Sequence, residues 1–174
     1  MPEPWKPSND PLGGAPHFLR MSGSFYCLSE FTAPWALDLP PMQDCVMFHV
    51  VTAGECRLEV AGAETCLLRP GALALVPHGR GHILSSAPDV KAGKLFDLPR
   101  ELISDRYEHL RHGGGGTPTT MVCPAVKFED PSAHHLLRLL PRLIAVDAWN
   151  SPELEWLQST LRFLTAEARE LRAG

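Results

Sequence analysis

The sequence predicts a mainly β fold, a small antiparallel barrel followed by C-terminal α-helices. Three observations predict it. Residues 46–86 divide into four or five short apolar stretches of strand length, separated by Gly- and Pro-containing turns. After Asp130-Pro131 the hydrophobic period changes from two to between three and four. With 174 residues, the chain fits one domain that buries most of its unfolded surface.

The clearest stretch is Leu67–Ser86. Arg69-Pro70-Gly71 is a turn, because Pro fixes φ and Gly tolerates φ > 0. Leu73, Leu75 and Pro77 alternate with Ala74 and Val76 as a strand, Pro77–Gly81 turns again, and a second strand restarts at His82-Ile83-Leu84. Upstream, Ser22–Phe31 is apolar on both parities, with Phe25, Cys27 and Phe31 on one of them. Ala33–Leu37, which includes Trp35, and the Pro40-Pro41 pair form an extended connection. Val46–Thr52 is also apolar on both faces, with Met47, His49 and Val51 on the inward one. Cys56, Leu58 and Val60 alternate with Arg57 and Glu59 as a half-exposed strand, and Ala61-Gly62-Ala63 turns into Glu64–Leu68. Consecutive short antiparallel strands of this kind form the core of a jelly roll.

Flanking segments read differently. Residues 1–16 carry five Pro and few apolar side chains, the composition of a flexible arm, or of one that closes over a pocket. In Pro99–His112 the residues Leu102, Ile103, Arg106, Tyr107 and Leu110 suit a short helix, and Gly113–Gly116 is a flexible break. Thr117–Glu129 returns to strand character. Ser132–Ala145 is helical and interrupted by Pro141. Ser151-Pro152-Glu153 is a helix start, with Ser as N-cap and Pro at the first position. From there Leu154, Leu157, Leu161, Leu164, Ala168 and Leu171 form a heptad seam. It suits a homodimer contact or packing on the chain's own barrel. The expected organisation is an arm over 1–16, a barrel over 17–130 and a helical segment over 131–174.

Composition excludes several function classes. The net charge is -4, and the basic residues, only four of them Lys, are scattered, so no nucleic-acid footprint exists. No apolar run reaches membrane-spanning length, and no secretory pattern opens the chain. Five Cys without pair spacing suit a reduced, cytoplasmic protein. There is no G-x-S-x-G, P-loop, H-E-x-x-H or C-x-x-C, and Glu55, Glu59 and Glu64 fall near turns or on the outward parity.

The spacing G-x5-P-x-G-x2-H-x3-S over Gly71–Ser86 resembles the second conserved motif of the cupin superfamily, with Ser86 where many members carry Asn. The resemblance implies a cupin jelly-roll, or double-stranded β-helix, barrel with His82 pointing inward. It also implies a metal site of two His and a Glu from a first motif plus the His of the second. Here the Glu position falls on Met47 and the two His positions near Pro40–Gln43, which hold none. What remains is His82, His49 on the inward parity, and Cys123, a set that suits zinc or nickel. The bland alternative is a pair of barrel histidines satisfied by hydrogen bonds. His78, His109 and His112 read as exposed turn or loop residues, and adjacent His134 and His135 point apart on a helix.

The order FTAPW-x-L, FHVV-x-x-G-x-C-x-L-x-V, LRPG-x-L-x-L-x-P-x-G-x-x-H, TTMVC and then an LLRLLP helix narrows this resemblance. It is similar to the N-terminal cupin domain of AraC-type transcriptional regulators over about residues 18–170. The resemblance implies a sensor that binds a small-molecule effector, dimerises through its helices and touches DNA only through a downstream helix-turn-helix domain absent from this chain. The expected pocket comprises Phe25, Trp35, Met47, His49, Leu58, His82 and Cys123. No catalytic residue is expected. Two alternatives are a stand-alone metal-dependent cupin enzyme, a dioxygenase or isomerase with a reduced site, and a dimerisation module whose barrel is filled by its own side chains.

Overall fold

The computed structural model describes residues 21–147. The arm at 1–16 and the heptad residues Leu154, Leu157, Leu161, Leu164 and Ala168 lie outside the described residues.

Two sheets enclose one core in a jelly roll. In chain order the strands are β1 (Met21–Thr32), β2 (Ala36–Leu39), β3 (Cys45–Ala53), β4 (Cys56–Val60), β5 (Cys66–Leu68), β6 (Ala72–Val76), β7 (His82–Ser85), β8 (Gly93–Lys94), β9 (Arg100–Ser104), β10 (Tyr107–Gly113), β11 (Pro118–Phe128) and, after helix α1 (Pro131–Leu139), β12 (Ile144–Asp147). The larger sheet runs β12-β6-β3-β11-β1-β10-β9 and the smaller β5-β4-β7-β2-β8. Most pairings are antiparallel, and β1–β10 and β2–β8 are parallel.

Alternation decides which side chains meet between the sheets. Along β3, Met47, His49 and Val51 point inward and are buried, as the parity predicts. Along β4, Cys56, Leu58 and Val60 do the same. The turn Pro77–Gly81 separates β6 from β7, and Gly79 holds φ +57 against the Met42 carbonyl, where a Cβ would collide. Ser86, which ends the motif, donates from Oγ to the Trp35 carbonyl at 3.1 Å and accepts from the Trp35 amide at 3.0 Å. Trp35 itself is 1% exposed and stacks on Phe31, ring centroids 4.4 Å apart.

The outer face of β3 is covered as well. Val46, Val126, Phe128 and Ala133 of α1 form a second cluster joined by Phe48, Leu75 and Leu137. This is why β3 is apolar on both parities. His78 is half-buried here, contrary to the exposed turn expected of it, because its Nε2 donates to the Leu137 carbonyl at 3.0 Å.

Three expectations are corrected. Residues 100–113 form a hairpin, β9–β10, with a register shift near its turn, not a short helix. Leu102 is 73% exposed and Leu110 1%, so the apolar residues that suggested a helical face do not share one environment. What orders β10 is the period of two that buries Glu108 and Leu110 between half-exposed Tyr107, His109 and exposed Arg111. His109 is therefore a strand residue, and its Nε2 lies 3.0 Å from Glu30 Oε2. Second, Gly113–Gly116 is a tied turn, because the amides of Gly114 and Gly116 donate to the carbonyls of Thr32 and Ala33 at 2.8 Å. Third, the helix after Asp130 ends at Leu139, before Pro141, whose ring and missing N–H end it. Ile144–Asp147 then pairs with β6 as an edge strand, so residues beyond 130 contribute to the sheet as well as to a helix.

Candidate functional site

Four inward residues from neighbouring strands form a polar row across the larger sheet. Cys27 on β1 is in register with Glu108 on β10 on one side and Cys123 on β11 on the other. His49 on β3 follows, its Nδ1 3.2 Å from Cys123 Sγ. From the facing sheet, His82 Nε2 meets His49 Nε2 at 2.7 Å, and His82 Nδ1 lies 3.2 Å from the Arg80 carbonyl.

One proton arrangement satisfies this chain. A carbonyl only accepts, so His82 carries its proton on Nδ1 and its Nε2 accepts. His49 then donates from Nε2, its Nδ1 accepts, and the Cys123 thiol donates to it. Both rings are neutral. Burial holds the His49 pKa well below the usual histidine value, helped by the proximity of His82, and burial also lowers that of His82. Burial pushes the Cys123 thiol well above its usual value, and the Cys27 and Cys56 thiols up to about 12.

His49, His82 and Cys123 come together as expected, but they are arranged here as a hydrogen-bonded chain and not as three converging donors. Cys123 lies at Nδ1 of His49 and His82 at Nε2, opposite edges of one ring, so the three donors do not converge. Two imidazoles bound tetrahedrally to zinc at about 2.05 Å would hold their nitrogens roughly 3.3 Å apart, wider than the 2.7 Å hydrogen bond here. Among the described residues no group of three or more His, Cys, Asp or Glu is arranged to hold a metal ion.

Beside this chain a cavity of about 510 Å³ opens. Of the pocket residues expected from the sequence, Phe25, Met47, His49 and Cys123 line it. Trp35, Leu58 and His82 do not; they point inward but lie deeper, packed in the core or, for His82, behind His49. The alternation identifies the parity of a side chain and not its depth along the barrel axis. The sequence reading misses the β9–β10 side of the wall, which supplies Arg100, Leu102, Glu108 and Leu110. The signal that finds them is the alternation of Glu108 and Leu110 with Tyr107, His109 and Arg111.

Glu108 is 3% exposed, and its Oε2 lies 3.5 Å from Arg100 Nη1, whose guanidinium also sits 5.0 Å from the Phe96 ring centre. Most of the remaining wall is apolar. Such a site can take up a mostly apolar small molecule and orient it at one polar end.

A family model described as Cupin matches residues 10–174. Among curated proteins, the "RCS-specific HTH-type transcriptional activator RclR" of Escherichia coli (strain K12) is 23% identical over 129 residues, 74% of this chain and 36% of RclR. Among solved structures, ToxT from Vibrio cholerae O395 aligns over 87% of this chain and 48% of ToxT, with a TM-score of 0.43 and 9% identity. Unsaturated fatty acid-bound ToxT from Vibrio cholerae strain SCE256 aligns over 72% of this chain and 41% of ToxT, with a TM-score of 0.39 and 8% identity. The chain thus spans less than half the length of each of these relatives.

Proposed function

We propose, from the premise that this chain belongs to the cupin family, that it is the small-molecule-sensing domain of an AraC-type transcriptional regulator. The observation that carries the reading is the cavity of about 510 Å³, walled mostly by apolar side chains and beside a His-His-Cys chain whose own hydrogen bonds are satisfied. A site of this make-up binds and orients; it holds no activated nucleophile and no convergent metal donors. The similarity to an HTH-type transcriptional activator supports the regulatory role. In this reading a cytoplasmic homodimer forms along Leu154, Leu157, Leu161, Leu164 and Ala168. DNA is contacted by a helix-turn-helix domain, of which the described residues carry none, and effector binding shifts the population of arm or helix arrangements.

The test is a thermal-shift screen of small amphipathic molecules against the wild-type chain and Ala125→Trp. Ala125 lines the cavity and is in register with Phe25 and Met47, so an indole there projects into the space a ligand would occupy. A ligand at a hundred times its Kd stabilises the folded state by about 2.7 kcal/mol, a rise of several degrees in Tm. That rise is expected in the wild type and absent in Ala125→Trp. A screen without any stabilising compound, or a stabilisation that survives the plugged cavity, refutes the reading.

A further inference from the structure

We propose that the Arg100–Glu108 pair reads the polar end of the effector, and that this end is a neutral group carrying both a donor and an acceptor, an amide or lactam, in preference to a carboxylate or an ammonium. The inference rests on the effector-cavity reading and deepens it.

The argument is one of elimination among the polar groups of the wall. His49 has both nitrogens engaged, by Cys123 and by His82. Ser29 Oγ and Cys27 Sγ hold each other at 3.4 Å. Asp105, Arg106 and Lys127 line the opening but are exposed, where water screens their charge. Among the charged side chains of the wall this leaves the ion pair of Glu108, 3% exposed, with Arg100, which reaches it from the exposed strand β9 with its side chain 28% exposed; Ser24 and Cys45 line the wall as neutral groups. A carboxylate has about four acceptor positions and a guanidinium five donors. Their mutual contact at 3.5 Å is at the long end of a hydrogen bond, so each keeps capacity for a further partner.

The pair is also electrically balanced, and that selects the ligand. A carboxylate brought to Arg100 meets the buried charge of Glu108; an ammonium brought to Glu108 meets Arg100. In either case a third charge is brought against a pair that is already balanced, and it loses hydration without gaining an unpaired opposite charge there. A primary or cyclic amide avoids this. Its carbonyl accepts from Arg100, its N–H donates to Glu108, and the pair stays neutral as it opens to admit them. The apolar wall takes the rest of the molecule.

Isothermal titration calorimetry with octanamide, octanoate and octylamine tests this on the wild-type chain, Glu108→Gln and Arg100→Gln. In the wild type, octanamide is expected to bind about tenfold or more tightly than either charged analogue, the order set by the cost of burying an unpaired charge. Glu108→Gln leaves Arg100 uncompensated and shifts the preference to octanoate. Arg100→Gln leaves Glu108 uncompensated and shifts it to octylamine. Arg100 lies on an exposed edge strand, so this variant reports even where Glu108→Gln does not fold. Octanoate or octylamine matching octanamide in the wild type, or an order unchanged by either substitution, overturns the inference and leaves the effector-cavity reading standing. Failure of octanamide to bind the wild type also overturns the inference alone, whereas binding that persists in Ala125→Trp overturns both.

Discussion

Replacing His49 and His82 by Leu, singly and together, is the sharpest test of the neutral hydrogen-bonded chain. In His82→Leu, His49 Nε2 keeps its proton at a buried position without an acceptor. That costs about 1–3 kcal/mol in addition to the roughly 1 kcal/mol of the lost bond. His49→Leu strands His82 Nε2 and the Cys123 thiol in the same way. Each single variant is expected to lose about 2–4 kcal/mol, a Tm lower by roughly 4–16 °C for a domain of this size. The double variant removes donor and acceptor together, so its loss falls short of the sum by about 1–2 kcal/mol.

The same pair sets a pH dependence. Both folded-state pKa values lie below the unfolded value of 6.5, so on acidification the unfolded chain takes up protons first. The stabilisation is fully present above the unfolded pKa and is lost as pH falls below it. Between pH 7.5 and 5.5 a histidine held neutral in the fold forfeits about 1.4 kcal/mol; that is the ceiling for His49, and His82, less strongly shifted, forfeits less. Urea denaturation of the four proteins across this range measures both effects, and the double variant loses the slope. Strict additivity of the two substitutions, or a stability of the wild type that is flat between pH 7.5 and 5.5, refutes the neutral chain.

Other expectations follow from burial and backbone. Trp35→Ala, at a position 1% exposed, should cost about 3–5 kcal/mol in denaturant titration; less than 1 kcal/mol would mean the ring is not core. Gly113→Ala, at φ +141 and against the Thr32 carbonyl, should cost several kcal/mol, whereas Gly115→Ala, at φ +87 with open space around it, should cost about 1 kcal/mol; equal losses would contradict the turn geometry. Ellman's reagent at pH 8 should label Cys45 and Cys66 far faster than Cys27 and Cys56, and equal rates for these four would contradict the burial of the last two. Treatment with EDTA should leave Tm unchanged, and a drop of several degrees would restore a metal to the His49–His82 region.

Where local chemistry decides the structure, the sequence is a good guide. The Pro-Gly and Gly-x-Gly turns bracket β6 and β7 because those residues restrict or release φ, and the inward face of β3 follows from a period of two. The β9–β10 hairpin was illegible because its edge strand is exposed throughout, so its apolar residues report solvent contact and not a core. Gln-free, Gly-free spacing at 102, 103, 106, 107 and 110 mimics a helical face without one. The candidate site suffers from the same gap. Parity places Phe25, Met47, His49 and Cys123 on the wall, but Trp35, Leu58 and His82 share that parity at a different depth. Arg100 and Glu108 escaped because their pairing depends on a hairpin that sequence periodicity does not reveal.

The imidazole pair also acts as a cross-brace. It runs from β11 through β3 to the turn before β7, and so pins one layer of the sandwich to the other. The base of the chamber is thereby tied to both layers, while the opposite side is a hairpin joined to the sheet margin through β1. In the proposed sensing role, a longer occupant is therefore accommodated toward the opening beside Asp105, Arg106 and Lys127, and not toward the histidines.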